Sequence, residues 1–160
     1  MSHLLPSRPP GLDDSLVFAI VASSYNREFV DGLVNGARGE LAVLAPKSRV
    51  ELHEVPGSFE IPLAVQTVAE RGNAAAILAF GLLWQGETLH ASLIATAVTG
   101  ALMDISLKHK LPVLHEVLVI QTEEQACARC LDTEINRGVE AARAAVAMLA
   151  ALKKINSPAS

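Results

Sequence analysis

The run from Ala75 to Leu83 carries no polar side chain. Bounded by turn signals, such a run fits a strand buried on both faces, as in a parallel sheet. It gives way at Gln85-Gly86, and after Glu87-Thr88 a helical period opens with Leu89, Leu93, Ala97, Ala101 and Ile105. The order is strand, tight turn, helix N-terminus. The first turn of a helix leaves backbone N–H groups unpaired, and its dipole favours an anion there. A phosphate fits such a junction. His90 falls one or two residues inside the helix, close enough to pass a proton to whatever binds. An ordinary strand–helix turn with a solvated histidine accounts for the same residues, so both readings stand at this point.

The rest of the chain repeats the alternation. Leu16 to Ala22 is a second continuous apolar run, followed by Asn26 as N-cap and by Phe29, Val30, Leu33, Val34, Ala37 and Leu41 at helical spacing. Val50 to Val55 alternates, as a strand with one less buried face would. Pro56 to Glu60 reads as a turn and Ile61 to Glu70 as a short helix, which Gly72-Asn73 breaks. The long third helix is expected from Thr88 to about Lys110, with Pro112 beyond its end. Val113 to Ile120 is a fourth strand. Thr122 and Gln125 have the spacing of a capping box. A loop near Asp132 to Asn136 leads to a last helix, Val139 to about Lys154. The pattern βαβαβαβα calls for an α/β fold with a four-stranded parallel sheet and helices on both faces. Such sheets bind ligands at the carboxyl ends of their strands. Residues 15–155 form a single domain in this reading. Residues 1–14, broken by Pro6, Pro9 and Pro10, are a tail that is mobile or laid across a neighbour, and 156–160 a frayed end.

Composition narrows the function classes. The chain has 160 residues, 51% of them hydrophobic, with a mean hydropathy of +0.34. No apolar run reaches the roughly 18 residues that span a bilayer, and the N-terminus lacks a basic stretch followed by an apolar one, so neither membrane nor signal peptide is expected. The surplus hydrophobicity points to a subunit interface. Net charge is −4 and the basic residues are scattered, so no nucleic-acid partner is expected. Cys127 and Cys130 form a C-x-x-C. A redox pair normally opens a helix, whereas TEEQACARCL puts this one late in a helical segment. Reduced structural thiols and a cytoplasmic location are expected.

There is no G-x-G-x-x-G, no Walker loop and no G-x-S-x-G elbow. No metal site is suggested. Of the five histidines, His3 lies in the tail, His109 at a helix end, and His53 and His115 within strands. His115 reads as structural on spacing alone. Only His90 stands at a strand–helix junction among small polar groups, which makes it the general acid/base candidate.

Five strings come in a fixed order on this framework: SSYN before the first helix, VPGSFEIPLA (Val55 to Ala64), GLLWQGETLH (Gly81 to His90), TEEQACAR (Thr122 to Arg129) and NRGVEAA (Asn136 to Ala142). Together they make the chain similar to the lumazine synthases of riboflavin biosynthesis, over about residues 15 to 154. The resemblance implies a flavodoxin-like three-layer αβα sandwich. It implies an enzyme joining 5-amino-6-ribitylaminouracil to 3,4-dihydroxy-2-butanone 4-phosphate, with no cofactor or metal. Tyr25 then stacks on the pyrimidine with Asn26 beside it, Ser58, Phe59 and Glu60 hold the ribityl chain, and Leu82 and Leu83 line the ring pocket. Gly86, Glu87 and Thr88 form the phosphate loop, His90 transfers a proton, and Arg129 from an adjacent subunit pairs with phosphate.

The chain departs from the family pattern at four places. Arg137 stands where a lysine is usual, and His115 where most members pack a phenylalanine on the pyrimidine. Gln85 replaces a basic residue before the loop glycine, and His90-Ala91-Ser92 replaces H-[FY]-[DE]. The resemblance also implies a homo-oligomer built on a pentamer, with decamers or shells of sixty subunits as larger forms and riboflavin synthase as an admissible partner. The proline-broken tail and the glycine-free stretch Leu131 to Ile135 favour a free pentamer. The rival functions are a non-catalytic or slow flavin- or lumazine-binding shell paralogue and, further off, a thiol redox enzyme.

Overall fold

The computed structural model describes residues 4–158; His3 lies outside them. Four strands, β1 (Val17–Ser23), β2 (Arg49–Val55), β3 (Ala76–Trp84) and β4 (Val113–Ile120), alternate with helices α1 (Arg27–Leu44), α2 (Ile61–Arg71), α3 (His90–His109), α4 (Glu123–Ala126) and α5 (Arg137–Asn156). The sheet is parallel throughout, in the order β2-β1-β3-β4. The α/β sandwich expected from the alternation is therefore the observed fold.

Strand alternation explains why β1, up to its last residue Ser23, and β3 are apolar on both faces. Phe18, Ile20, Leu78, Phe80 and Leu82 pack on one face of the sheet with residues of α1 and α5. Ala19, Val21, Ile77 and Ala79 pack on the other with residues of α2 and α3. A strand in the middle of three layers has no wet face. β2 lies at an edge and is partly exposed along its length, which is why its sequence alternates.

α1 and α5 approach closely at Gly138, where an added Cβ would stand far closer to the Leu33 carbonyl oxygen than van der Waals contact allows. The N-terminal segment does not reach away from its own chain. Leu12 N–H donates to Leu44 O (2.7 Å). The buried Glu40 carboxylate accepts from Arg8 (2.8 Å) and Arg143 (2.7 Å), and Arg143 also donates to Pro6 O. Residues 6–12 thus run along α1 and α5.

The expected start of the third helix needs correcting. α3 starts at His90, because residues 87–89 form bends rather than helical turns. α3 is also long and apolar enough to cross a membrane by composition, although no uninterrupted apolar run is. Several of its polar interruptions are serine and threonine, which lower the average little. In this fold α3 packs its Val98, Leu102 and Ile105 against the sheet layer and exposes Leu93, Met103 and Leu107.

Gly138→Ala is expected to lower the unfolding free energy by about 2–3 kcal/mol through overpacking. Gly39→Ala, in the same helix pair but with nothing within 4 Å of the new methyl, should gain about 0.5–1 kcal/mol. Urea unfolding at one protein concentration checks both. A neutral Gly138→Ala would mean that α1 and α5 lie farther apart.

Candidate active site

Strand order reverses at β1 and β3: the chain leaves β1 towards β2, then returns to place β3 on the other side. A crevice opens at such a switch point, beyond the carboxyl ends of the strands. Here it is a cleft of about 450 Å³ lined by Tyr25, Gly57, Ser58, Phe59, Glu60, Leu83, His90 and Ile94. Its two rims are tied together, since Tyr25 N–H donates to Pro56 O at 3.1 Å. Ser58 to Glu60 form a single 3-10 turn after β2, in which Glu60 Oε2 accepts from Gly57 N–H at 2.9 Å. That leaves the other carboxylate oxygen free to accept.

Ser58 is 5% exposed, and its hydroxyl has no partner among the described residues. A buried polar group in that state costs about 1–3 kcal/mol, so the hydroxyl is poised for a ligand. Gly81 makes room for it, because a Cβ there would stand 2.6 Å from Ser58 Oγ. The aromatic rings are far from buried: Tyr25 is 66% and Phe59 63% exposed. Leu82 does not join Leu83 in this cleft. As its neighbour along the strand it faces the opposite side and packs into the α1–α5 core.

Asn26 sits at the N-cap position of α1 but does not cap it. Its backbone is left-handed (φ 58°, ψ 40°) and its side chain makes no bond to the helix. Instead Nδ2 donates to Leu82 O (2.9 Å) and Oδ1 accepts from Trp84 Nε1 (3.0 Å). Trp84 in turn meets Phe29 edge-on at 5.8 Å. The residue after β1 is thereby pinned to the end of β3. Asparagine tolerates this backbone better than most residues.

Gly86, Glu87, Thr88 and His90 are exposed around the start of α3. The Gln85 side chain knits this loop: Nε2 donates to Gly86 O (3.0 Å) and Thr88 O (3.1 Å), and Oε1 accepts from Ser92 Oγ (2.8 Å). Gln85 and Ser92 are two of the departures from the family pattern. They meet in one neutral hydrogen bond where the pattern has a basic and an acidic residue.

The basic candidates lie elsewhere. His115, Arg129 and Arg137 line a separate groove of about 460 Å³ along edge strand β4, with Glu116, Gln125 and Glu140. Arg137 is ion-paired with Glu140. Arg129 reaches the Gln125 carbonyl at 3.5 Å. His115 Nδ1 accepts from Val117 N–H (3.0 Å), so its neutral ring carries the proton on Nε2, which donates to Thr99 Oγ1 (2.7 Å). Burial lowers its pKa, which keeps the ring neutral near pH 7. One chain therefore does not bring Arg129 to the Gly86–Thr88 loop.

The capping box before α4 is half formed. Thr122 Oγ1 accepts from Gln125 N–H (3.3 Å), but the Gln125 side chain reaches Gln121 N–H (3.1 Å) instead of Thr122. Cys127 and Cys130 are free and follow α4 in a π-helical segment, Cys127–Leu131. Burial pushes the Cys130 thiol up to about 12, the reverse of what a redox thiol needs. Among the described residues no group of three or more His, Cys, Asp or Glu side chains could hold a metal ion.

The sequence model described as 6,7-dimethyl-8-ribityllumazine synthase matches residues 15–153. The chain belongs to the 6,7-dimethyl-8-ribityllumazine synthase family. It is 38% identical to 6,7-dimethyl-8-ribityllumazine synthase 1 of Caulobacter vibrioides over 88% of this chain and 93% of that one. It is 38% identical to the synthase of Halorhodospira halophila over 88% of this chain and 90% of that one. A de novo designed Rossmann fold protein also matches, over 71% of this chain and 90% of that one, with 20% identity and a TM-score of 0.35, too loose a likeness to bear on the fold.

Sequence reasoning on this lumazine synthase family member missed Ile94, Glu116 and Glu140. Ile94 had a signal, since it follows His90 by four residues and so shares its helix face. Glu116 and Glu140 had none.

Asn26→Ala is expected to cost about 2–3 kcal/mol, from two lost hydrogen bonds and the strain of a left-handed alanine. Asn26→Gly, which removes the same bonds without that strain, should be about 1 kcal/mol less damaging. Unfolding followed by the fluorescence of Trp84, the single tryptophan, compares them. Equal losses would mean that the backbone at 26 is not left-handed.

Proposed function

We propose that this chain is a transferase that condenses 5-amino-6-ribitylaminouracil with 3,4-dihydroxy-2-butanone 4-phosphate to 6,7-dimethyl-8-ribityllumazine, releasing phosphate and water. The observation that carries it is the cleft at the switch point, where an aromatic face, an unpartnered hydroxyl, a carboxylate and a histidine share one lining. Tyr25 stacks on the pyrimidine and Leu83 closes the ring pocket. Ser58, Phe59 and Glu60 take the ribityl chain through its hydroxyls. Gly86 to Thr88 and the start of α3 hold the phosphate, and His90 moves the proton.

Charge arithmetic argues that the site is shared between copies. The cleft lining contains no guanidinium or ammonium group. A helix N-terminus is equivalent to about half an elementary charge, against roughly −1.5 to −2 on a phosphate monoester. The missing cation is Arg129 of a neighbouring copy, with Arg137 and His115 on the same groove. A guanidinium fork suits phosphate better than an ammonium. The exposed Leu93, Met103 and Leu107 of α3 supply the apolar surface by which copies associate. We place the assembly at a pentamer. The N-terminal segment is engaged by Glu40 of its own chain, which argues against its serving as an added strand in a larger shell.

Mixing the protein with both substrates and following lumazine fluorescence tests the reaction. Binding of the pyrimidine without product would favour the non-catalytic paralogue. Arg129→Ala is expected to weaken the four-carbon substrate by about 10 to 150-fold and to leave the pyrimidine nearly untouched. Equal losses for both would show that Arg129 holds the fold or the interface instead. Light scattering at micromolar concentration should return five times the subunit mass. A monomer would sink the shared site, and a mass near sixty subunits would show that the N-terminal segment is free to exchange.

A further inference from the structure

Glu116 has no part in the reading so far. Leu114, Leu118 and Ile120 of β4 pack towards the α1–α5 core, and Glu116 shares their face by strand alternation. It is partly buried and lines the β4 groove with Arg129, Arg137 and Glu140. Its side chain makes no hydrogen bond or ion pair among the described residues, and Arg137 is already taken by Glu140. The charged and titratable groups around it are Arg137 and Glu140 from α5 and Cys130 and Arg129 from the π-helical segment. His115, next along the strand, is turned to Thr99 of α3. Burial and the Glu140 carboxylate push the Glu116 carboxyl up to about 7, with Arg137 opposing only in part. It is thus a carboxyl group with no partner of its own, facing a substrate groove and substantially protonated at neutral pH.

An unpartnered carboxylic acid offers one donor and one acceptor side by side. The phosphate of the four-carbon substrate is a poor match, because a carboxyl beside Glu140 gains nothing from more negative charge. The ribityl hydroxyls already have Ser58 and Glu60 in the other cleft. The remaining polar feature is the imide edge of the pyrimidinedione ring, where a carbonyl acceptor stands next to an N–H donor. On the function proposed above, we infer that Glu116, brought with Arg129 by a neighbouring copy to the ring held against Tyr25, is a specificity-determining residue, its acid O–H donating to a ring carbonyl and its acid carbonyl accepting the adjacent ring N–H. No proton is exchanged and no bond is made or broken. The pair orients the ring, and Arg137 flanks it.

The test compares wild type with Glu116→Gln and Glu116→Ala in the assembled protein, by fluorescence titration with 6,7-dimethyl-8-ribityllumazine, whose ring keeps the imide edge. Glutamine is near-isosteric and keeps one donor and one acceptor without titrating. At pH 6 Glu116→Gln should bind within about 3-fold of wild type, and Glu116→Ala about 10-fold or more weaker. The wild-type affinity relative to Glu116→Gln, a ratio that cancels the ligand's own ionisation, should fall about 10-fold by pH 8, as the competent acid form drops to about one part in ten. Inhibition by inorganic phosphate should be the same in all three. A merely structural glutamate would leave the pH profile of Glu116→Gln equal to that of wild type, and that result, or wild-type affinity in Glu116→Ala, overturns the assignment. If wild type makes lumazine while the variants bind alike, only the role of Glu116 falls. If wild type neither makes nor binds lumazine, the proposed function falls and takes Glu116 with it.

Discussion

Burial of β3 on both faces is the constraint from which the rest of the molecule follows. Ile77, Leu78 and Phe80 are fully buried and Leu82 is 1% exposed, and each such side chain contributes on the order of 1.5–3 kcal/mol of transfer free energy. A strand sealed this way needs a partner strand on each side and a helix layer above and below. β1 and β4 supply the first, and α1 with α5 and α2 with α3 the second. Its carboxyl end must then emerge at the sheet edge, where polar groups are allowed. Everything chemical in the first cleft hangs from that emergence: Trp84 pins Asn26, Leu83 floors the cleft, and Gln85 ties down the loop leading to His90.

The site is divided by the same geometry. Loops after β1, β2 and β3 converge at the switch point, whereas β4 is an edge strand and its groove faces outward. Acid/base and hydroxyl groups gather in the first place, and guanidinium groups in the second. In a single chain the exposed rings of Tyr25 and Phe59, the orphan hydroxyl of Ser58 and the unpaired carboxyl of Glu116 are all costs without a return. Each is an unfinished contact, and the shared site proposed above would close them.

Much of the fold was legible because periodicity is a strong signal where layers bury it. The run Ala75 to Leu83 and the run Leu16 to Ala22 could be little else than central strands, and the four strands lie within a residue of where alternation put them. Local chemistry was less legible. Asn26 has the right residue type for a cap, but a left-handed backbone and two tertiary partners turned its side chain away from the helix. Leu82 and Leu83 are adjacent in the family string, yet adjacent strand residues face opposite layers, so only one can meet a ligand. Gln85 and Ser92 looked like two unrelated losses of charge until their side chains were seen to meet. Glu116 is one carboxylate in an apolar strand, and no pattern says which side of a sheet will leave it without a partner.

The Glu40 clamp on the N-terminal segment carries a different consequence, one of acid lability. Its carboxylate is held below the usual range, first by the hydrogen bond from Arg8 and also by Arg143, against the opposing cost of burial. A depressed pKa means that the stabilisation is present in full above the ordinary carboxylate value and is lost as pH falls through the lowered one. The strap is therefore insensitive to changes around neutrality. On acidification it lets go, as the proton that neutralises Glu40 removes the one charge that both arginines share. Acid thus loosens the segment at Arg8 alone, while the bonds of Leu12 to Leu44 O and of Arg143 to Pro6 O, whose acceptors are backbone carbonyls, do not titrate.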